Sequence, residues 1–259
     1  MAPRSKQPAQ RAKKQASSFG APEQAQRPKD NEKRIQTGIQ GLDELIEGGL
    51  PRGGVTLLSG HCGTGKATFA TQFIYYGAKE KNEPGVYITL EEEPEEVMGD
   101  VKRFGWDMEK LVKDKKISII KPEITKFDTL KKTIEDEIDK IGAKRLVINP
   151  FGLIAAYFAN VYDARKALAS LRRQMQKLDC TALVVADIKE GEQTFSFTGY
   201  EEFVVTGVIV LDLAFKKESN SYVRTLFVRK MEKSNHSLKL VPLEIKPDGL
   251  VVYPDAEVF

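Results

Sequence analysis

From Ile35 onward the apolar residues fall into short runs that alternate between two periods. VTLLSG (Val55 to Gly60) is a compact apolar run that predicts a buried strand, and ATFATQFIYYGAKE directly after the loop that follows predicts a helix. VYITL (Val86 to Leu90), rich in β-branched and aromatic residues, follows the turn signal Pro84-Gly85 and predicts a second strand. In KFDTLKKTIEDEIDKIG, residues Phe127, Leu130, Ile134, Ile138 and Ile141 recur at steps of three and four, with Lys, Asp and Glu opposite them. That spacing predicts a surface helix with one narrow apolar face. RLVIN, a helix carrying Leu168, Leu171, Met175 and Leu178 on one face, then TALVVAD and GVIVLDL continue the alternation. Repeated β-α units imply an α/β fold with a mostly parallel sheet covered on both faces, because parallel strands need crossover helices. Past Tyr222 the helical period stops. YVRTLFVRK, SLKLVPLEI and GLVVYP predict an antiparallel extension, with turns at Lys233 to Asn235 and at Pro247 to Gly249.

Composition narrows the picture. A length of 259 residues suits one α/β domain plus a tail better than two full domains. The longest apolar runs, VIVL and LVVA, fall far short of the ~18 residues that would span a bilayer. The N-terminus is basic without an apolar segment behind it, so the expectation is a cytoplasmic protein with no membrane contact. Two cysteines, Cys62 and Cys180, and no C-x-x-C exclude a disulfide framework and a metal knuckle, and no residue set is assigned to a metal.

The net charge of +3 hides a division of the chain. Residues 1–34 hold nine Lys or Arg against three acids, an excess of six positive charges that leaves the remainder at −3. This stretch is rich in Ala, Gln, Pro and Ser with Phe19 as its one aromatic, too polar to offset the entropy of ordering, and is expected to be disordered. The folded domain is then 35–259. For the tail two readings stand side by side: a solvated charge run, or a sequence-independent grip on nucleic-acid phosphates.

The candidate chemistry begins at Gly60. GHCGTGKAT, comprising Gly60, His61, Cys62, Gly63, Thr64, Gly65, Lys66, Ala67 and Thr68, follows the first strand and opens the first helix. The skeleton G-x-x-x-x-G-K is common by itself, so context decides. Here a strand leads in, a helix leads out, and the glycines leave backbone N–H groups free to curl around an anion at a helix N-terminus, with Lys66 reaching for terminal phosphates. His61 and Cys62 invite a metal or redox reading, but variable loop positions accept many side chains.

TGIQGLDELIEGGLPRGGVTLLSGHCGTGK resembles the opening of the KaiC-like branch of RecA-type ATPases. Further segments similar to that family are YITLEEEPEEV, GYEEFVVTGVIVL and VRKMEKSNHSLKLVPLEIKPDGLVVYP, so the resemblance covers nearly all of residues 35–259. It implies a RecA-like twisted sheet, ATP or ADP on the loop, and homo-oligomers, often hexameric rings with nucleotide between subunits. It also implies that Glu91 or Glu92 polarises the attacking water and that Lys230 acts in trans on a neighbour's nucleotide.

Three departures from the family pattern matter. Position 67, where a Ser or Thr hydroxyl would ligate magnesium, is Ala67, and Thr68 is turned away by ~100° around the helix. The position of the acidic residue at the end of RLVIN is Asn149, followed by Pro150. The hairpin motif Lys-Met-Arg reads Lys230, Met231, Glu232. Magnesium favours carboxylate and phosphate oxygens, so it is expected to bind weakly or not to be required.

A second reading applies to Glu91 and Glu92: the EEEPEE run also fits an acidic helix start with Pro94 at the first helical position. His236 reads as positional. Thr194, Ser196 and Thr198 are similar in kind to the autophosphorylated hydroxyls of the clock protein KaiC, but those belong to a second domain of that protein and the activity is not carried over. Three functional classes follow: a nucleotide-binding regulatory or assembly subunit with weak or lost hydrolysis, a working ATPase, and a nucleic-acid-binding recombinase paralog or scaffold acting through the tail.

Overall fold

The first strand of the main sheet lies at its centre, and everything that positions the site is built outward from it. The computed structural model describes residues 34–123, 126–155, 157–158, 160–188, 194–196 and 199–258. In chain order the elements are β1 (Arg34–Ile35), α1 (Leu42–Leu45), β2 (Leu50–Pro51), β3 (Val55–Gly60), α2 (Lys66–Glu80), β4 (Gly85–Thr89), α3 (Pro94–Asp100), α4 (Met108–Lys113) and β5 (Ile117–Ile120). Then come α5 (Phe127–Ile141), β6 (Arg145–Asn149), α6 (Gly152–Ala155), α7 (Val161–Leu178), β7 (Thr181–Asp187), β8 (Gly207–Lys216), β9 (Ser221–Met231), β10 (Val241–Lys246) and β11 (Gly249–Val252).

Nine strands form one sheet in the order β11-β10-β9-β8-β3-β7-β6-β4-β5, while β1 and β2 pair separately. From β8 across to β5 every pairing is parallel, and from β8 out to β11 every pairing is antiparallel. Strand β3 sits between β7 and β8, while the chain leaving it runs first to β4, two strands beyond β7. Such reversals of strand order open a crevice at the carboxyl ends of parallel strands, where ligands of open α/β sheets bind.

Alternation along each strand sorts the core into two layers. Leu58, Tyr87, Val147, Leu183 and Ile209 face the layer that holds Phe69, Phe73 and Ile74 of α2. Their neighbours Leu57, Val86, Leu146, Val184 and Val208 face Leu130, Ile134 and Ile138 of α5 and Leu168, Leu171 and Met175 of α7. The apolar strands thus bury both faces, as expected for a sheet covered on both sides, and α5 and α7 bury the face that their three-and-four spacing predicted. Helix α2 is tied across the layer by Gln72, whose Nε2 donates to Gly38 O and Leu250 O and whose Oε1 accepts from Leu250 N. Beneath it the fully buried Arg145 donates to Glu83 and to Phe73 O, and it fits because Gly77 has no side chain: a Cβ there would lie 2.1 Å from Arg145 Nε.

Several boundaries differ from expectation. Arg34, counted with the tail, lies in β1 instead, its guanidinium donating to Ile46 O, Gly49 O and Lys233 O. Residues 1–33 of the expected tail lie outside the described residues. In SLKLVPLEI only Val241–Lys246 forms a strand, since Ser237 N bonds to Leu45 O rather than to a sheet neighbour. Among the described residues no helix is long and apolar enough to cross a membrane.

Candidate functional site

Gly60 ends β3 with Leu211 on one side and Asp187 on the other in register. A Cβ at Gly60 would come within 2.4 Å of Leu211 O, a backbone atom that cannot step aside. Gly63 and Gly65 hold φ of +77° and +102°, a region that side chains disfavour, and this lets the loop curl back to start α2. Thr64 Oγ1 donates to His61 O at 2.9 Å and closes the turn from inside. The first N–H groups of α2 have no partners within the helix and point into this loop, where an anion is favoured.

Lys66 is nearly buried, and its amine is engaged within its own chain. Nζ donates to Gly60 O at 2.8 Å and His61 O at 2.8 Å, and lies 3.1 Å from Asp187 Oδ1. An ammonium has three donors, so all three are taken, and a phosphate must compete for them. Asp187 ends β7, and the sequence pattern does not single it out: its own side chain is half-exposed, and its partner Lys66 opens α2, which the sheet order brings alongside by pairing Gly60 with Asp187.

The Ala67 methyl is exposed in the first turn of α2, beside the half-buried Thr68. Asn149 ends β6 opposite Thr89, and its Nδ2 donates to the Tyr87 hydroxyl at 3.0 Å. Burial pushes the Tyr87 pKa up to about 12, so this hydroxyl stays protonated. The amide therefore fixes a neutral hydroxyl where a carboxylate would bring charge. Ala67 has no oxygen to offer a cation, and Asn149 has one amide oxygen without charge; among the described residues no group of three His, Cys, Asp or Glu is placed to bind a metal.

Glu91 and Glu92 leave β4 next to Asn149. The main chain here is pinned by Thr89 Oγ1, which donates to Glu92 O, and by Lys121 Nζ, which donates to Glu91 O and to Glu93 Oε1. The acidic helix start is also real, but it uses other residues: Pro94 opens α3, and Glu93 N donates to Glu96 Oε2 at 2.7 Å. The Glu91 side chain is exposed, whereas Glu92 is half-buried with its pKa raised by burial and then by Asp100, Glu96 and Glu91. These surroundings make the Glu92 carboxylate more basic than an ordinary glutamate.

The loop also leans on the β8–β9 hairpin. Arg224 Nε donates to Gly63 O at 3.0 Å, and His61 Nδ1 sits 3.2 Å from Asp212 Oδ1. Nothing local in the sequence marks Arg224 among the basic residues of β9, so its contact with the loop emerges only from the fold. Cys62 is exposed and unpaired, while Cys180 is buried, its thiol pKa pushed up to about 12 by burial.

Lys230 lies on β9 at the far end of that hairpin, opposite Val208. Its Nζ donates to Val205 O at 2.7 Å and sits 3.2 Å from Glu232 Oε1. Glu232 is gripped by the Arg172 guanidinium at 2.5 and 3.2 Å, and Arg172 also donates to Val204 O. Both ring nitrogens of His236 are shielded from solvent without a hydrogen-bond partner. Ser196 is buried and donates to Glu202, and Thr198 lies outside the described residues.

A strand, a glycine loop with two residues at positive φ and a helix that opens on a buried lysine, at the carboxyl edge of a parallel sheet, define a P-loop protein. The KaiC ATPase family model matches residues 35–257, and the chain belongs to that family. UPF0273 protein MJ1359 of Methanocaldococcus jannaschii is 37% identical over 244 residues, 86% of this chain and 97% of that protein. The UPF0273 protein of Thermotoga maritima is 34% identical over 239 residues, covering 86% and 96%. Among solved structures, the KaiC-like protein PH0186 of Pyrococcus horikoshii OT3 superposes with a TM-score of 0.77 at 42% identity, over 85% of this chain and 99% of that one. The RecA-like architecture expected from the resemblance is the one observed.

Proposed function

We propose that this chain is a KaiC-family nucleotide-binding protein that holds ATP or ADP on Gly60–Lys66 with little dependence on magnesium, hydrolyses it slowly or not at all, and works as a regulatory or assembly subunit of a homo-oligomer. One observation carries the reading. The glycine loop and Lys66 are both present, the lysine held on loop carbonyls from which a phosphate would recruit it, while the two flanking positions expected to hold the metal present a methyl group at Ala67 and a neutral amide at Asn149 that donates to Tyr87. Phosphoryl transfer depends on positioning and charge neutralisation, so a carboxylate base without a well-held metal accelerates it little.

Isothermal titration with ATP, with magnesium and then with EDTA, tests this. Similar affinity in both conditions is the expected result, with Lys66→Ala weakening both. Binding that vanishes in EDTA, or that is indifferent to Lys66→Ala, overturns it.

A second reading, a working ATPase, is favoured by Asp187. Its carboxylate lies 3.1 Å from Lys66 Nζ, and if a phosphate took over the lysine it would be available to help hold a magnesium ion, which would supply charge neutralisation for phosphoryl transfer. Wild-type turnover typical of P-loop ATPases, lost in Asp187→Asn, would select it. For the basic segment, taken as 1–33 because Arg34 belongs to β1, the reading is sequence-independent phosphate binding that falls steeply with salt. Deleting it should remove DNA or RNA binding at matched salt and leave nucleotide affinity unchanged; equal nucleic-acid binding without it rejects the role.

A further inference from the structure

The β8–β9 hairpin runs past the P-loop and carries an aromatic pair that phosphate binding does not use. Leu211 is level with Gly60, yet β8 continues to Lys216 and β9 returns from Ser221, so the hairpin projects beyond the sheet edge where the loop sits. Across it Leu211 pairs with Leu226, Leu213 with Arg224 and Phe215 with Tyr222. Side chains two apart share a face, so these three pairs line one side of the hairpin. It is the α2 side, because Leu211 and Leu226 are buried in one cluster with Phe69 and Phe73. The loop is docked to this side by Arg224, whose Nε donates to Gly63 O. Continuing outward from the phosphate cradle along one face, the chain thus offers Arg224 and then the two rings.

Phe215 and Tyr222 stand 5.2 Å apart between centroids at 59°, and they are 44% and 69% exposed. A tilted pair of this kind braces one ring with the other and leaves a π-face open. Phe215 lies four residues beyond the level of Gly60, roughly 13 Å along the strand, a reach that an extended nucleoside polyphosphate matches from its phosphates to its base.

We propose that Tyr222, buttressed by Phe215, is the platform on which the base of the P-loop nucleotide stacks. This rests on the nucleotide-binding reading above and adds to it a statement about ligand class. Every purine has a π-face, and a ring that offers only stacking reads no hydrogen-bonding edge, so the site accepts adenine and guanine nucleotides nearly alike. Arg224, between cradle and rings, positions the loop through Gly63.

The test is calorimetric titration of the full chain with ATP, GTP and inorganic tripolyphosphate, for wild type, Tyr222→Ala and Tyr222→Trp. Tyr222→Ala is expected to weaken ATP and GTP by roughly 5- to 100-fold, the range for loss of one base–aromatic stack, and to leave tripolyphosphate unchanged. Tyr222→Trp should retain both nucleotides. An equal loss on tripolyphosphate, an unchanged ATP affinity, or wild-type ATP binding no tighter than tripolyphosphate overturns the platform while leaving the cradle intact. Wild type that binds neither ATP nor tripolyphosphate overturns the cradle and the platform together. A change in subunit association with no change in the ATP-to-tripolyphosphate ratio assigns the rings to a contact between copies and also overturns the proposal.

Discussion

The two flanks of the site are made of different material. On the β3–α2 side the ligand groups are main-chain N–H donors and one lysine, and the constraint falls on glycines: Gly60 against Leu211 O, Gly63 and Gly65 at positive φ. On the β4–β6 side the work falls to side-chain oxygens, and there the chain presents Asn149 bonded to Tyr87, Glu92 half-buried among acids, and across the loop the methyl of Ala67. A backbone cradle depends on loop geometry, whereas a metal site disappears with two side chains. On the proposed function binding and turnover are therefore separable, and substitutions should move one without the other.

The largest effect should come from breaking the cradle. Gly60→Ala drives a methyl group into Leu211 O, and Lys66→Ala removes the cation. Each is expected to lower ATP affinity roughly 30- to 150-fold, the equivalent of losing about two to three kcal/mol of charge-assisted contacts. Thermal unfolding should show the Lys66→Ala chain still folded, and retained affinity in both variants would erase the contrast between the flanks.

Rebuilding the other flank comes next. Ala67→Thr with Asn149→Asp should raise magnesium-dependent ATP turnover by about tenfold or more, each change alone doing less, because metal contacts are worth several kcal/mol in the transition state. The gain should be abolished by Glu92→Gln. Since burial and neighbouring acids raise the Glu92 pKa, the rate of the double variant should climb through a pKa above the ordinary glutamate range, as the carboxylate becomes the free base. A silent double variant would place the obstacle elsewhere, at Glu232 or between subunits.

Much of this contrast is legible in the amino-acid sequence alone, and the reason is locality. The loop, the flanking strand and helix, and the replaced positions Ala67 and Asn149 are each read from a few neighbouring residues. The partners are not legible there, because they join distant segments: Lys66 at the start of α2 with Asp187 at the end of β7, Asn149 with Tyr87 62 residues away, and Arg224 with Gly63 161 residues away. Short elements escape for a related reason. The four residues of β5 and the six of α4 show too little periodicity to register, and their place is set by packing at the sheet edge.

Asp187 offers a sharper probe of the cradle. In the structure its carboxylate competes for the amine that a phosphate must recruit. Asp187→Asn should free Lys66 and tighten ATP or ADP a few-fold, about 0.5–1 kcal/mol for a half-exposed ion pair. A loss of affinity instead would show that Asp187 contributes to the bound state and would favour the working-ATPase reading.

The smallest effect concerns Lys230, which the family resemblance sends to a neighbouring subunit and which the structure holds at home through Val205 O and Glu232. Burial alone would raise the Glu232 pKa, but the hydrogen bonds from Arg172 and Lys230 outweigh it and leave the carboxyl below its ordinary value. A folded pKa below the unfolded one means that this contribution is complete above about pH 4.3 and is lost as pH falls through the folded pKa. Glu232→Gln should therefore lower stability at pH 7 by about 1 kcal/mol, a fall in Tm of roughly 2–4 °C, and the difference from wild type should shrink towards pH 3. It should also leave Lys230 held only by the carbonyls of Val205 and Glu202. If the lysine then reaches a neighbour's nucleotide, Glu232→Gln in the Ala67→Thr/Asn149→Asp background gives a further rise in turnover that depends on protein concentration. Turnover unchanged at every concentration would mean that the pairing with Glu232 is structural and that Lys230 remains with its own subunit.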